Sequence, residues 1–215
     1  MLPRPIAQRE STNSSLLRSW REETDRLDVA VYAAIAATPT PAMDAGMRQL
    51  SRAADHSRLW IGCAALLAVA GGERGRAAAV NGLASIGLAS AVVNLVLKPL
   101  GDRRRPDRPT YAVPLARQVT MPRSTSWPSG HSASAFAFAT GVGAAWPGAG
   151  VPLSVVASLV AYSRVHTGVH YPSDVIAGTV SGVALAPVAV AAVLRLRRRW
   201  SADGRREQAT ITRSV

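Results

Sequence analysis

Three short segments carry side chains suited to holding and transferring phosphate: Lys98 with Arg105-Pro106, Pro128-Ser129-Gly130-His131, and Ser163-Arg164 followed by His170 and Asp174. His170 precedes Asp174 by four residues, a spacing that lets a carboxylate reach an imidazole at a helix start. A carboxylate that fixes one ring nitrogen leaves the other unprotonated, aimed and nucleophilic. His170 is therefore the candidate nucleophile, attacking phosphorus to form a phosphohistidine, and Asp174 the group that orients it and stabilises its positive charge. The second segment opens an apolar run. A helix N-terminus there offers unpaired amide hydrogens and a positive dipole end, and Ser129 with Gly130 permits close backbone approach by an anion. His131, beside that anion, is the candidate general acid for the departing oxygen. Lys98, Arg105 and Arg164 supply the charge that a pentacoordinate phosphoryl transition state requires on its equatorial oxygens. Arginine does so as a bidentate fork and lysine as a point charge. Each feature alone has a plainer reading as a helix cap, a snorkelling span terminus or a solvated arginine run. The case rests on their conjunction.

The elements that must position these residues are apolar helices. Residues 77–97 run without a charge for about the twenty residues that a spanning helix needs. Residues 132–145, 151–163 and 175–194 are further uncharged runs. Trp146-Pro147-Gly148-Ala149-Gly150 reads as the turn between the first two, Pro187 as a kink in the last, and the arginines at 195 and 197–199 as its close. Residues 28–38 are apolar over about two-thirds of a spanning length, which predicts an interfacial or partly inserted helix ended by Pro39 and Pro41. A further helix is expected from about Met43 into the apolar stretch 59–70, followed by a polar turn over residues 71–76. The proline-punctuated, basic segment 98–127 reads as an extramembrane loop. Gly178 and Gly182, four residues apart, allow close helix approach. The expected architecture is all-α, a polytopic membrane bundle of about five to six helices with all three motifs at one membrane face. The membrane domain is expected over residues 26–199, between polar tails at 1–25 and 200–215. If every run from Ala77 onward crosses, Lys98, His131, Arg164 and Asp174 emerge on one side, while Arg74, Arg76 and the arginines at 195 and 197–199 lie on the other. The positive-inside rule then makes the second side cytoplasmic and turns the phosphate site outward from a bacterial cytoplasmic membrane.

Composition narrows the partners. A net charge of +12 raises the question of nucleic acid, but the arginines cluster beside apolar runs with no aromatic-interleaved basic stripe, which excludes nucleic acid as the expected partner. Membrane lipids and substrate anions remain as partners for them. Cys63, the single cysteine, lies in an apolar run and reads as a small hydrophobe, with no intrachain disulfide to form. The N-terminus has no apolar core with a small-residue cleavage site, so no cleavable signal peptide is expected.

Lys98, six residues, Arg105-Pro106; Pro128-Ser129-Gly130-His131; and Ser163-Arg164, five residues, His170, three residues, Asp174 together resemble the three-part signature of the type 2 phosphatidic acid phosphatase superfamily, with every position matched. Leu50-Ser51-Arg52-Ala53-Ala54-Asp55-His56-Ser57 is similar to the phosphatase half of actinobacterial proteins that fuse this domain to a lipid kinase, a half not present here. The resemblance implies a helical bundle and a metal-independent, cofactor-free phosphomonoesterase or pyrophosphatase acting on a lipid. It makes His170 the nucleophile, Asp174 its partner, His131 the acid, and Lys98, Arg105, Ser129, Gly130 and Arg164 the phosphate ligands. The absence of clustered carboxylates for paired magnesium or zinc ions agrees with it. Candidate substrates are a polyprenyl pyrophosphate of cell-wall synthesis, slightly favoured by an outward site, phosphatidic acid, phosphatidylglycerophosphate, or a prenyl-linked sugar phosphate. Alternatives are a vanadate-dependent haloperoxidase or acid phosphatase of the same superfamily, opposed by the long spans, and a non-catalytic binder or transporter of anionic lipids, opposed by the retained histidines. His166 lies outside the signature and reads as a substrate-rim or packing residue. Tyr171 and Trp127 flank the motif histidines as candidates for the lipid entrance or the walls of the site. His56 has no evident role.

Overall fold

The computed structural model describes the backbone of residues 6–213 and the side chains of residues 18–202. Seven helices appear in it: α1 (Ile6–Ala37), α2 (Pro41–Ala53), α3 (Arg58–Ala70), α4 (Gly72–Val92), α5 (Gly130–Ala145), α6 (Pro147–His166) and α7 (Pro172–Arg213). Helix α4 continues through a π turn over Val93–Leu97 into a last turn at Lys98–Leu100. The architecture is all-α, and no strand occurs among the described residues.

The boundaries follow local chemistry, not always where apolar content alone places them. Pro147 does not sit in a turn; it occupies the first helical turn of α6, where its missing N–H is no loss, so Trp146 alone separates α5 from α6. Residues 73–76 likewise form the first turn of α4. The expected continuous passage from Met43 toward Leu59 is broken where His56 and Ser57 adopt left-handed φ values of 54° and 59°. Helix α1 begins well upstream of residue 28, and α7 runs on past the arginines at 195 and 197–199. Basic residues at a membrane boundary snorkel without ending a helix.

Helix α5 is the centre, packed by α4, α6 and α7. Its residues are small, and Ala133, Ala135, Ala137, Phe138 and Val142 are buried. Close approach needs glycines on the neighbours. A Cβ on Gly178 would stand 2.3 Å from the Ser129 carbonyl oxygen, and one on Gly182 would stand 2.3 Å from that of Ala133, which bears out the expected small-residue contact. Trp60 of α3 tilts against Phe138 of α5 with ring centroids 5.4 Å apart.

Among the described residues, three helical stretches are long and apolar enough to cross a membrane: Gly72–Leu100, Pro147–His166 and Pro172–Ala202. They expose Leu83, Leu95, Val155, Leu159, Val180 and Val188 on the outside of the bundle, as spans facing hydrocarbon do. Helix α5, with 16 residues, is about 24 Å long and is sheltered among them. The alternating direction of α4 to α7 brings Leu100, Gly130, His166 and Pro172 to one end. At the other end Arg74 bonds the Ala145 carbonyl, 3.2 Å away.

Candidate active site

The end where these helices meet is closed by the segment 101–129, which arginines pull inward. Arg105 donates to the carbonyls of Ser124 at 2.9 Å, Thr125 at 3.1 Å and Val169 at 2.8 Å. Lys98, in the last turn of α4, donates to Ser124 Oγ at 2.9 Å. The first and third segments are thus tied side chain to backbone. The second joins them through Ser129 N–H, which donates to the Asp174 carbonyl at 2.9 Å, and Ser129 caps α5 by accepting from the Ser132 amide.

His170 follows the end of α6 in a short turn that Gly168 makes possible at φ 73°. There a Cβ would meet the Tyr32 hydroxyl at 2.8 Å. The His170 ring is 2% exposed and the Asp174 side chain 0%. Its Nδ1 stands 3.4 Å from Asp174 Oδ2, and its Nε2 stands 3.2 Å from Arg105 Nη1. A guanidinium can only donate, so Nε2 carries the lone pair and Nδ1 the proton. Burial, with Arg105 and Arg164 close by, pushes the imidazole down to about 3 despite its Asp174 bond. His170 is therefore neutral across physiological pH, with an available nitrogen turned toward a cation.

Asp174 is held from several sides. Oδ2 accepts from the Ser126 hydroxyl and from the Tyr171 amide at 2.9 Å, and Oδ1 accepts from Arg103 Nη1 at 3.0 Å. Arg103 is itself fixed by α1, donating to Asp28 Oδ2 at 2.7 Å and Asp25 Oδ1 at 2.8 Å, with its guanidinium 4.5 Å from the Tyr171 ring centroid. Asp28 also accepts from the Ser173 amide at 2.8 Å and from its hydroxyl, capping α7.

His131 occupies the other side of the site. Its Nε2 is 2.8 Å from Asp55 Oδ1 at the α2–α3 break, and this contact holds the Asp55 carboxyl below its usual range. His131, Gly130 and Lys98 line an open cleft of about 440 Å³. Arg164 is 1% exposed, donates to Ser51 Oγ and lies 4.0 Å from Asp55. Its buried Nε has no partner among the described residues. A buried guanidinium with a free donor is prepared for an anion.

All eight residues singled out in the sequence thus gather at one end of the bundle: Lys98, Arg105, Ser129, Gly130, His131, Arg164, His170 and Asp174. His166 does not join them. It is buried, with Nε2 3.1 Å from Asp44, in a packing cluster where Arg117 also bonds Asp44 at 2.8 Å. Tyr171 packs against Tyr32 and Arg103. Trp127 lines a second cavity of about 830 Å³ with Trp20 and Leu100. Sequence reasoning passed over Arg103, Ser126, Asp28 and Asp55. Arg103 lay inside an arginine run with nothing to separate it from its neighbours. Asp55 stood in the 50–57 stretch noted above, but only the chain break at His56 turns it toward His131.

The family model of the PAP2 superfamily matches residues 78–198. Decaprenylphosphoryl-5-phosphoribose phosphatase of Mycobacterium tuberculosis (strain CDC 1551 / Oshkosh) is 38% identical over 170 residues, covering 78% of this chain and 91% of that protein. The protein of the same name from Mycolicibacterium smegmatis is 37% identical over 155 residues, covering 72% and 80%. Two solved structures share the fold. Aquifex aeolicus LpxE superposes with a TM-score of 0.59 at 23% identity over 76% of this chain and 94% of that one. The PAP2-type phosphatidylglycerolphosphate phosphatase of Bacillus subtilis does so with 0.59 at 24% over 80% and 86%. The family model spans more than half of the residues and the mycobacterial relative is 38% identical over most of both chains, which leads to one conclusion: the chain belongs to the PAP2 superfamily.

Proposed function

We propose that this integral membrane lipid phosphatase releases the terminal phosphate of a prenyl-linked sugar phosphate through a phosphohistidine at His170. The observation that carries the mechanism is the buried His170, protonated toward Asp174 and with its Nε2 lone pair 3.2 Å from Arg105. Nε2 attacks phosphorus as the bond from phosphorus to the sugar oxygen breaks, and His131 gives its proton to that oxygen. Water, deprotonated by His131, then attacks the phosphohistidine and releases inorganic phosphate. Arg105, Arg164, Lys98 and the amides following Ser129 neutralise the equatorial oxygens. The substrate rests on the relatives, whose names specify decaprenylphosphoryl-5-phosphoribose and which match along most of their length. That moves the preference from a polyprenyl pyrophosphate to a prenyl-linked sugar phosphate. The site faces outward from the bacterial cytoplasmic membrane, supported by Arg74, Arg76 and the arginines at 195 and 197–199 at the opposite end.

The test is phosphate release by the purified chain from a panel of lipid phosphates, with His170→Ala as blank. Fastest release from the prenylphosphoryl pentose phosphate, an acid-labile phosphoenzyme, and loss of both in His170→Ala are expected. Undiminished release by His170→Ala overturns the phosphohistidine, and preference for phosphatidic acid overturns the substrate.

A further inference from the structure

The cleft that holds His131 and Gly130 continues along α4 beyond the phosphate-handling residues. Ser90, Asn94 and Lys98 recur every four residues, so one strip of an otherwise charge-free span carries two polar side chains up to the lysine. Asn94 lies in the π turn, a departure from regular helix that is frequent at functional sites. Its Nδ2 donates to the Ser90 carbonyl at 2.9 Å, which uses one donor of a carboxamide that offers two donors and an acceptor oxygen. Ser90 Oγ and Ser134 Oγ meet at 3.3 Å between α4 and α5. The α2–α3 break also lines the cleft, where Asp55, His56 and Ser57 contribute and the last two hold left-handed backbone angles. Non-glycine residues held there cost energy and collect where side chains must be aimed. Hydrogen-bonding groups therefore come to the cleft from two separate parts of the fold, beside the residues that would hold phosphate.

We infer that this cleft receives a hydroxylated headgroup, a pentose or comparable polyol adjoining the phosphate, and that Asn94 and Ser90 read its hydroxyls. The inference rests on the sugar phosphate substrate proposed above. A ligand without hydroxyls at this place leaves the second N–H and the oxygen of the Asn94 carboxamide without a ligand partner, and a polar site rejects such a ligand more strongly than an apolar site rejects an extra group.

The experiment compares two substrates with one tail, a prenylphosphoryl pentose phosphate and the prenyl pyrophosphate, on the full-length chain in lipid nanodiscs. In Asn94→Ala the ratio of kcat/KM for pentose over pyrophosphate falls about tenfold, and in Ser90→Ala about threefold. Asn94→Gln, which keeps the carboxamide, recovers part of the loss. The ratio is read in both positions, so poor folding of one variant leaves the other to decide. A wild type active on the pentose substrate, with the ratio unchanged in both variants, overturns the cleft assignment and leaves the substrate standing. A wild type that releases nothing from the pentose substrate removes the substrate and the cleft assignment together.

Discussion

Two histidine–aspartate pairs serve the same site from unlike surroundings. His170 and Asp174 are almost wholly enclosed, and the carboxylate is fixed by Ser126, the Tyr171 amide and Arg103. His131 and Asp55 keep 22% and 40% of their side chains exposed and border an open cleft. Enclosure suits a nucleophile that must stay neutral and aimed, while access to water suits a group that has to give a proton and take one back. In the proposed mechanism the same two residue types are thus separated in role by burial and by what else the carboxylate touches.

The comparison can be broken at either pair. The largest effect is expected from Asp174→Asn, which removes the acceptor that sets the His170 tautomer: kcat should fall about a thousandfold or more, measured as steady-state phosphate release. His131→Gln should lower kcat about a hundredfold or more on the lipid substrate. In the burst that forms the phosphoenzyme, before water is activated, it should cost much less on an aryl phosphate whose leaving group needs no proton. An equal loss on both would take the acid role from His131. Asp55→Asn should cost about tenfold, and the double variant with His131→Gln should be no worse than His131→Gln alone. Additive losses would mean that Asp55 acts by another route.

The smallest effect concerns pH and stability. His170 titrates at about 3 in the folded chain against an ordinary 6.5, so between these values the unfolded chain takes up a proton that the folded chain refuses. Its contribution is fully present above about pH 6.5 and is lost as pH falls toward about 3. The melting temperature should fall on acidification through that window, and His170→Gln should flatten the fall. A flat wild-type profile would contradict the burial that distinguishes the two pairs.

Much of the site was legible because phosphoryl transfer needs particular side chains. Lys98, Arg105, the Ser129 to His131 turn, Arg164, His170 and Asp174 announce themselves by type and spacing, and the uncharged runs between them decide that their ends meet. The supports were not legible. Arg103 and Arg105 look alike in sequence, yet one holds the carboxylate of Asp174 and the other faces Nε2 of His170. Asp28 looked like the start of an apolar stretch, and its bonds to Arg103 and Ser173 depend on where α1 docks. Helix boundaries misled where proline and glycine occupied first turns, positions in which neither breaks a helix.

By itself the sequence determined the helical class and the membrane setting and pointed to the phosphate chemistry proposed above, because these follow from side-chain types and from long uncharged runs in an order that any all-helical arrangement must respect. The tertiary structure alone decided which arginine serves which group, that Asp55 rather than a nearer residue partners His131, and that Ser90 and Asn94 border the cleft. Those choices depend on distances between residues far apart in the chain. They are set by close packing around α5 and by the left-handed break after α2, neither of which leaves a periodic trace in the sequence.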